Sequence, residues 1–259
     1  MDVRSSPFEK SAKYYDLIYD ELGKNYGKEA RRIHQFIRIC KKSKGHALLD
    51  VACGTGRHIQ SMRKYYSCEG LDLQSKLLAI ARKRNPRIVF HHRNMLAFNL
   101  HKQFDVVTCL FSAIGYMQTI QELNRAIKNM AKHLRPGGVL IVEPWLTPQD
   151  IIPGHIGIVF VNQPRLKLVR MNIVDVKGRL SVLEFHYLLG RPKGVKHFTE
   201  LDEFGLFTDN EYIEAFRRAG LNVKHDRKGL IGRGLYIGMK QTQAEHYLPT
   251  SSQPTDVKE

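Results

Sequence analysis

The sequence lacks the long apolar runs that export or membrane insertion requires. The opening segment, MDVRSSPFEKSAKYYD, has no apolar run after its first charges. Nowhere do about 18 uncharged apolar residues follow one another. We therefore expect neither a signal peptide nor a transmembrane helix, and we expect a cytoplasmic protein.

Cysteine is scarce and is not spaced for metal binding. The chain has four cysteines and no CxxC pair, and no histidine spacing typical of a zinc site accompanies them. We expect free thiols in a reducing compartment and no bound metal.

Acidic residues are few relative to basic ones. The chain has 25 Asp and Glu residues and 41 Lys and Arg residues, which gives a formal net charge of +16. Such a charge attracts polyanions, phosphorylated substrates or acidic surfaces without choosing among them. No RNA-binding module accompanies it, so a nucleic-acid partner stays an alternative to a solvated basic surface. With 259 residues, 42% of them hydrophobic, the chain is long enough for one large domain, or for one domain with an inserted subdomain.

The first half of the chain alternates strand and helix patterns. Residues 28–42 carry a helical apolar stripe, and residues 47–52 form an apolar run that leads into a glycine-rich turn. Further strand patterns at 69–73, 88–91, 104–110 and 139–143 alternate with helical patterns at 75–84 and 120–134. This predicts an α/β fold with a mostly parallel seven-stranded sheet and helices on both faces.

The second half changes character after residue 145. Residues 157–204 read as an antiparallel β meander with turns at 176–179 and 191–194, followed by a helix at 208–219 and two final strands. We predict an N-terminal helical cap (1–45), a core (46–145), an antiparallel β insertion (146–205), the last helix and strands of the core (206–240) and a disordered tail (241–259).

A glycine turn and an acidic residue follow the first two predicted strands. The turn reads Asp50-Val51-Ala52-Cys53-Gly54-Thr55-Gly56, and Asp72 ends the next strand sixteen residues after Gly56. Ile59 stands where a dinucleotide fingerprint needs its third glycine, so a nicotinamide or flavin cofactor is disfavoured. The carboxylate can instead accept hydrogen bonds from both ribose hydroxyls of a nucleoside. The alternative is a plain tight turn beside a loop carboxylate.

The third predicted strand is followed by Asn94 and Met95. The amide can hydrogen-bond an adenine edge, and the polarizable thioether can lie against the ring face. Met95 as an ordinary core residue is the alternative.

The motifs LLDVACGTGRH, LDL, RNM, FDVVTCLFSAIGYM and LRPGGVLIVEPW, in this order, resemble the class I S-adenosylmethionine-dependent methyltransferases, which have a Rossmann-like fold. YYDLIYDELGKNY, HFTELDEFGLFT and GRGLYIG extend the resemblance over residues 12–239 and narrow it to the nucleotide-sugar N,N-dimethyltransferases that complete the macrolide amino sugars desosamine and mycaminose. The family commonly has Asp at the position of Asn94, and the subgroup has His at that of Tyr116.

The resemblance implies S-adenosylmethionine as cofactor. It places the methionine portion at the glycine turn, the ribose at Asp72 and the adenine at Asn94 and Met95. The expected cofactor-binding residues are Tyr15, Tyr26, Asp50, Ala52, Gly54, Gly56, Asp72, Leu73, Asn94, Met95 and Phe111.

Methyl transfer to an amine is an in-line displacement that depends on alignment rather than on a strong base. We therefore expect no catalytic triad. Tyr15, Tyr116 and Glu143 are the candidate catalytic residues. The expected acceptor-binding residues are Tyr116, Trp145, Arg170, His186, His197 and Arg233, with the arginines suited to a diphosphate. Packing is the alternative for Trp145, and a surface or satisfied core position for each histidine.

The predicted function is N-methylation of an amino group on a nucleotide-linked amino sugar, a small anionic acceptor. We expect the core at 46–145 to bind the cofactor and the insertion at 146–205 to form the acceptor pocket and lid. A methyltransferase for RNA or protein recruited by the basic surface is one alternative, and a cofactor-binding regulator without catalysis is another. A homodimer is one expectation for the assembly.

Overall fold

The computed structural model describes residues 7–242 and contains eleven strands and six α-helices in this range. The strands are β1 (Ala47–Val51), β2 (Ser67–Asp72), β3 (Val89–His92), β4 (Phe104–Cys109), β5 (Leu134–Val142), β6 (Ile156–Gln163), β7 (Leu166–Lys177), β8 (Leu180–Arg191), β9 (Gly194–Gly205), β10 (Leu221–Asp226) and β11 (Leu235–Lys240). The helices are α1 (Tyr15–Glu21), α2 (Tyr26–Cys40), α3 (Arg57–Met62), α4 (Ser75–Arg84), α5 (Ile120–Lys132) and α6 (Asp209–Arg218). Short 3-10 helices span Ala12–Tyr14 and Ala113–Tyr116.

Seven strands form one sheet in the order β10-β11-β5-β4-β1-β2-β3. The β11 strand runs antiparallel to both neighbours, and the pairs from β5 to β3 are parallel. All six residues of the central strand β4 are buried, as expected of a parallel strand covered on both faces. Separate clusters of buried apolar residues cover the two faces. The predicted α/β fold is thus confirmed.

The structure differs from the prediction at residues 133–138, where we expected the helix to continue to 134 and the next strand to begin at 139. Helix α5 already ends at Lys132, and β5 begins at Leu134. The pairing of β5 with β4 shifts register between Phe104 and Val106, and Gly137 adopts a φ of +74°. Pro136 and the glycines therefore form the irregular start of a strand.

A second, antiparallel sheet contains β6, β7, β8 and β9 in sequential order, as the meander pattern predicted. Its turns fall at 178–179 and 192–193, within the predicted segments. One face packs against Tyr14 and Ile18 of the N-terminal cap. Helix α6 follows with Thr208 as its N-cap in a capping box with Glu211.

The predicted division into a cap, a core and an insertion stays a prediction. The predicted disordered tail lies outside the described residues, except for Gln241 and Thr242. Within residues 7–242, no helix has the length and apolar character needed to cross a bilayer.

Gly56→Ala tests whether close packing of α3 on α4 requires this glycine. A Cβ at Gly56 would lie 2.8 Å from Asn85 Nδ2 and 3.2 Å from Ala81 Cβ, and the residue has a φ of +73°. We expect urea unfolding to show a loss of at least about 2 kcal/mol, because crowding adds to the left-handed backbone cost.

Gly154→Ala is the matched control. Gly154 has a φ of +78°, but a Cβ there would meet no atom within 4 Å. Only the backbone cost of about 1 kcal/mol applies at this position. Equal losses for the two variants would contradict the role of crowding at Gly56.

Candidate active site

A cleft of about 1430 Å³ opens at the carboxyl ends of the parallel strands. The turn after β1 lines it with Ala52 and Gly54, and the end of β2 lines it with Asp72. Tyr15 of the cap and Arg170 of the second sheet close it from other sides. Open parallel sheets bind their ligands at this edge.

The glycine turn and the end of β2 are tied together by one carboxylate. Gly54 N donates a hydrogen bond to Asp72 Oδ2 at 2.8 Å, and Gln74 N donates to Oδ1 at 2.7 Å. Asp72 is 6% exposed, and burial raises its pKa although these backbone hydrogen bonds act in the opposite direction. Each oxygen keeps acceptor capacity for a ligand.

The backbone of the turn leaves room beside this carboxylate. Ala52 and Gly54 have φ values of +57° and +55°. A Cβ on Gly54 would meet no atom within 4 Å. Left-handed non-glycine residues such as Ala52 are costly and concentrate at binding sites. The turn thus presents a small, pre-formed surface to the cleft.

The loop after β3 adds Asn94 and Met95 to the same end of the cleft, where Leu73 is also exposed. Asn94 Oδ1 accepts a hydrogen bond from Leu96 N at 2.9 Å, and Asn129 Nδ2 donates to Met95 O at 3.0 Å. These contacts hold the loop in place. The Asn94 amide keeps both donor hydrogens and one acceptor site for a ligand.

Aromatic rings line the middle of the cleft. The Tyr15 and Tyr19 ring centroids lie 4.6 Å apart, and Tyr19 meets Phe111 edge-on at 4.8 Å. Burial raises the pKa of Tyr15, so its phenol stays protonated. Aromatic faces attract cations, so this part of the cleft suits a positively charged centre.

A buried charge cluster lies next to these rings. Lys24 Nζ is 2.9 Å from Glu29 Oε1 and 3.6 Å from the centroid of Phe111, and His58 Nε2 lies 2.7 Å from Glu29 Oε2. Burial raises the pKa of Glu29, but the hydrogen bonds and charges of His58 and Lys24 outweigh it and hold that pKa below its usual value.

The other end of the cleft is formed by the 3-10 helix at 113–116, Trp145 and the second sheet. Trp145 stacks on Phe204 with ring centroids 4.6 Å apart, and Tyr116 lies 4.7 Å from the same ring. Arg233 lies 4.5 Å above the Trp145 ring and donates to Ser112 Oγ at 2.9 Å. Burial lowers the pKa of the Arg233 guanidinium.

The cleft brings together most of the residues that the sequence suggested. They are Tyr15, Ala52, Gly54, Asp72, Leu73, Asn94, Met95, Phe111, Tyr116, Trp145, Arg170 and Arg233. Six others do not line it: Tyr26, Asp50, Gly56, Glu143, His186 and His197.

Asp50 and Gly56 support the glycine turn from behind instead of facing the cleft. Asp50 is 1% exposed and accepts a hydrogen bond from Thr108 Oγ1 at 2.7 Å, and burial raises its pKa to about 6. Gly56 packs against α4 through Ala81 and Asn85. Neither residue lines the cleft, and their expected cofactor contacts stay a prediction.

Glu143 and Tyr26 are also displaced from their expected places. Glu143 is 0% exposed, and its Oε2 accepts a hydrogen bond from Phe111 N at 2.6 Å, so it positions the loop after β4 rather than facing an acceptor. Tyr26 is 7% exposed and lies edge-on to His58, with Lys24 5.2 Å from its ring. It therefore packs behind Lys24.

His186 and His197 lie on the outer face of the second sheet. Side chains alternate along a strand, and Phe185 and Tyr187 of β8 are the buried neighbours on either side of His186. The two imidazoles approach each other, with His186 Nδ1 3.3 Å from His197 Nε2. The expectation that they line the acceptor pocket is corrected.

Sequence reasoning missed several residues that line the cleft: Tyr19, Lys24, Glu29, Asn172 and Asp202. Tyr19 follows Tyr15 by one helical turn, a spacing that identifies the same helix face. Asn172 and Asp202 are found only when the inner face of the meander is known. Asn172, for example, lies between the exposed Met171 and Ile173 on β7.

Comparisons with known proteins identify the family. A methyltransferase-domain model matches residues 48–138. The dTDP-3-amino-3,6-dideoxy-alpha-D-glucopyranose N,N-dimethyltransferase of Streptomyces fradiae is 38% identical over 236 residues, which cover 90% of this chain and 92% of that relative. The chain belongs to the nucleotide-sugar N,N-dimethyltransferases.

Solved structures of this family have the same fold. Streptomyces venezuelae DesVI is 37% identical with a TM-score of 0.84, covering 89% of this chain and 98% of that one. S-adenosylmethionine-bound CalS10, an amino pentose methyltransferase of Micromonospora echinaspora, is 35% identical with a TM-score of 0.81, covering 88% and 96%. The protein is thus a class I methyltransferase that uses S-adenosylmethionine.

The cleft of this methyltransferase fits the cofactor on its own geometry. Asp72 offers a buried carboxylate, Gly54 leaves open space where a side chain would stand, and the rings of Tyr15 and Tyr19 suit a sulfonium. The carboxylate oxygen Glu143 Oε1 and the Tyr26 hydroxyl are buried without a partner among residues 7–242.

Asp72→Ala is expected to raise the dissociation constant for S-adenosylhomocysteine at least about tenfold. A charged hydrogen bond contributes about 1.5 to 3 kcal/mol, and about 1.4 kcal/mol corresponds to a factor of ten. Isothermal titration calorimetry measures the effect.

The exposed Asp175 on β7 provides the control variant Asp175→Ala, which removes the same charge away from the cleft. Unchanged affinity in a folded Asp72→Ala protein would contradict the ribose assignment.

Proposed function

We propose that this methyltransferase transfers methyl groups to the amino group of a dTDP-linked amino sugar. The relatives that support the proposal are named as N,N-dimethyltransferases of dTDP-3-amino and dTDP-4-amino sugars, at 35% to 38% identity over most of their length. The match over nine tenths of the chain carries the proposal, because it includes the second sheet as well as the cofactor-binding core.

The cofactor assignment rests on the geometry of the glycine turn. We propose that Asp72 binds the ribose, that Leu73, Asn94 and Met95 contact the adenine, and that Ala52 and Gly54 approach the methionine portion. Tyr15 and Phe111 would lie beside the sulfonium. When bound, S-adenosylmethionine supplies an electrophilic methyl group on a sulfonium.

Arg170 is our candidate for the diphosphate of the acceptor. It lines the cleft, lies 5.5 Å from the Tyr19 ring and 5.0 Å from the Phe185 ring, and forms no ion pair with any residue of the described range. Its Nε is buried without a hydrogen-bond partner in this range. An unpaired guanidinium in a cleft is suited to bidentate contact with phosphate oxygens. Arg233 at the mouth would assist.

The residues of the cleft would promote the reaction mainly by aligning the acceptor amine with the methyl group. The rings of Trp145, Tyr116 and Phe204 would hold the sugar and exclude water, while Arg170 would bind the diphosphate. Positioning of this kind supplies roughly 7 to 11 kcal/mol of barrier reduction in well-aligned reactions. The buried phenols of Tyr15 and Tyr116 would orient the amine by hydrogen bonding.

Membership of an enzyme family favours catalysis over a purely regulatory role. The net charge of +16 favours RNA as an alternative acceptor. The acceptor half of the cleft, closed by Trp145 and the second sheet, favours a small molecule. A cytoplasmic location stays a prediction, consistent with four buried free cysteines.

Labelled methyl transfer tests the acceptor class. We expect label from S-adenosylmethionine on dTDP-3-amino or dTDP-4-amino deoxysugars, and none on dTDP-glucose or on bulk RNA. Arg170→Gln should raise the Michaelis constant for the dTDP-linked acceptor about tenfold, since about 1.4 kcal/mol is lost with a charged contact.

Arg165→Gln is the control, because Arg165 is an exposed arginine in the turn between β6 and β7. Label on RNA alone would contradict the acceptor assignment. An unchanged Michaelis constant in Arg170→Gln would contradict the diphosphate contact.

We also propose that the protein is a homodimer through the outer face of the second sheet. Antiparallel sheets normally turn a polar face to water, yet large apolar side chains on this face are 40% to 69% exposed. They are Ile156, Ile158, Phe160, Met171, Ile173, Leu188 and Val195. A second copy is the occupant we favour, because it brings an equally apolar face related by two-fold symmetry, whereas an acidic partner would bind the basic surface.

Sedimentation equilibrium checks the assembly. We expect twice the chain mass for the wild type and a shift towards one chain mass for Phe160→Glu, since a charge would be buried in the interface. Ile39→Glu is the matched control, as Ile39 is 76% exposed on α2, away from this sheet. A monomeric wild type at micromolar concentration would contradict the proposal.

A further inference from the structure

One carboxylate of the acceptor half of the cleft has no role in the assignments above. Asp202 lies on β9, paired in register with Leu183 of β8, which is itself paired with Val174 of β7. All three residues line the cleft. Asp202 is 6% exposed, so the second sheet presents one buried carboxylate in a row of otherwise apolar side chains.

Asp202 is held by one oxygen and is free at the other. Tyr116 Oη donates a hydrogen bond to Asp202 Oδ2 at 3.2 Å. Oδ1 has no hydrogen-bond partner anywhere in residues 7–242, and Asp202 forms no ion pair within that range. A carboxylate anchored through one oxygen has its other oxygen available to a ligand in the cleft.

Groups from several elements face this carboxylate. Arg170 of β7 favours its charged form, Glu200 of its own strand disfavours it, and Tyr116 donates to it. Tyr15 and Tyr19 of α1 act electrostatically on Tyr116 and raise its pKa. Three further titratable residues line this half of the cleft: His155 before β6, Glu203, which accepts from Gln118 Nε2 at 3.0 Å, and Glu122 of α5, which accepts from Gln118 N at 2.8 Å. Glu200 accepts from the backbone of Lys10 and Ser11.

We propose that Asp202 is the general base that removes a proton from the acceptor amine before each methyl transfer. The inference rests on the proposed function, because it requires an amine acceptor in this half of the cleft. Tyr116 acts as a positioning residue, since its hydroxyl fixes the carboxylate that would contact the amine.

A base is useful because the acceptor amine must lose a proton before it can accept a methyl group. An alkylammonium group has a reference pKa of about 10, as in lysine, so the acceptor arrives mostly protonated at neutral pH and has no free lone pair. The Asp202 carboxylate accepts one N–H proton and becomes a carboxylic acid, and the ammonium becomes a neutral amine. The freed lone pair forms the N–C bond while the C–S bond of the donor breaks and leaves its electron pair on sulfur.

A second methylation requires the same event again. The monomethylated product is a secondary ammonium, so two methyl transfers release two protons in total, one before each transfer. Asp202 passes each proton to water through the open side of the cleft. Burial raises the pKa of Asp202 to about 7, which lets the group both accept a proton from an ammonium and return it near neutral pH.

The neighbouring groups are less suited to this step. Burial and the adjacent Asp202 raise the pKa of Tyr116 well above that of a free phenol, so its phenolate is not populated near neutral pH. Glu203 is tied to Gln118. Glu200 holds the backbone ahead of the first 3-10 helix.

The pH dependence of Asp202→Asn separates a base from a structural residue. Asparagine keeps the size of the side chain and an oxygen that accepts from Tyr116. At pH 7 we expect kcat to fall about 100-fold, the usual contribution of a general base. Above the pKa of the substrate amine, where the amine arrives neutral, kcat should recover to within about threefold of the wild type.

Two other results would overturn the proposal. If the ratio of the Asp202→Asn kcat to the wild-type kcat stays constant from pH 6 to 10, the substitution causes a structural defect. If the Michaelis constant rises while the kcat profile is unchanged, Asp202 is only an ionic anchor for the ammonium. Asp175→Asn, on an exposed acid of β7, controls for loss of negative charge from the same sheet. Thermal unfolding of each variant reports on folding.

Tyr116→Phe provides an independent variant. The hydrogen bond from Tyr116 lowers the pKa of Asp202, so its removal raises that pKa. The acidic limb of the kcat profile, where Asp202 loses its charge, should therefore move to higher pH. A limb that stays in place, or moves to lower pH, would contradict the assignment.

Wild-type data distinguish failure of this inference from failure of the acceptor assignment. If the wild type methylates some other amine rather than a dTDP-sugar, the acceptor assignment is wrong, and the Asp202→Asn pH comparison is made with that amine. If the wild type methylates only oxygen or carbon acceptors, or none, both are overturned.

Discussion

The structure depends on the hydrogen bond from Gly54 N to Asp72 Oδ2. It joins the turn after β1 to the end of β2, so the two parts of the proposed cofactor site are positioned by one carboxylate. The same carboxylate accepts from Gln74 N, ahead of α4. Because Asp72 is buried, its charge is stabilised mainly by these backbone donors, and the site is pre-organised before any ligand arrives.

Charged contacts connect helix α1 of the N-terminal cap to this turn. Asp16 of α1 accepts from Thr55 Oγ1 at 2.7 Å and from Arg84 at 2.5 Å, and Arg57 pairs with Asp20 at 2.7 Å. These bonds place Tyr15 and Tyr19 over the strand ends. The cap also shares an apolar cluster with the second sheet. The cap therefore links the cofactor half of the cleft to the acceptor half.

Local patterns predicted the fold and the cofactor half of the site because both arise from short segments. The turn around Gly54 and the acid at Asp72 each follow a strand, and the strand ends of a parallel sheet meet at one edge. The acceptor half depends on which face of the meander turns inward, which periodicity alone leaves open. His186 was therefore predicted inside although it lies outside, and Asp202 was missed although it lies inside. A buried acid behind the turn, such as Asp50, looks the same in sequence as one that lines the cleft.

The inner and outer faces of the second sheet differ in character, and the register of its strands determines both. On β8, Leu183 and Phe185 line the cleft, whereas Leu188 lies on the apolar outer face. A shift of β9 by one residue against β8 would exchange the two faces of β9, turning Asp202 out of the cleft and His197 towards it. The eleven- and twelve-residue ladders between these strands make such a shift costly. The geometry of the acceptor pocket and the apolar character of the outer surface are therefore set together by the same strand register.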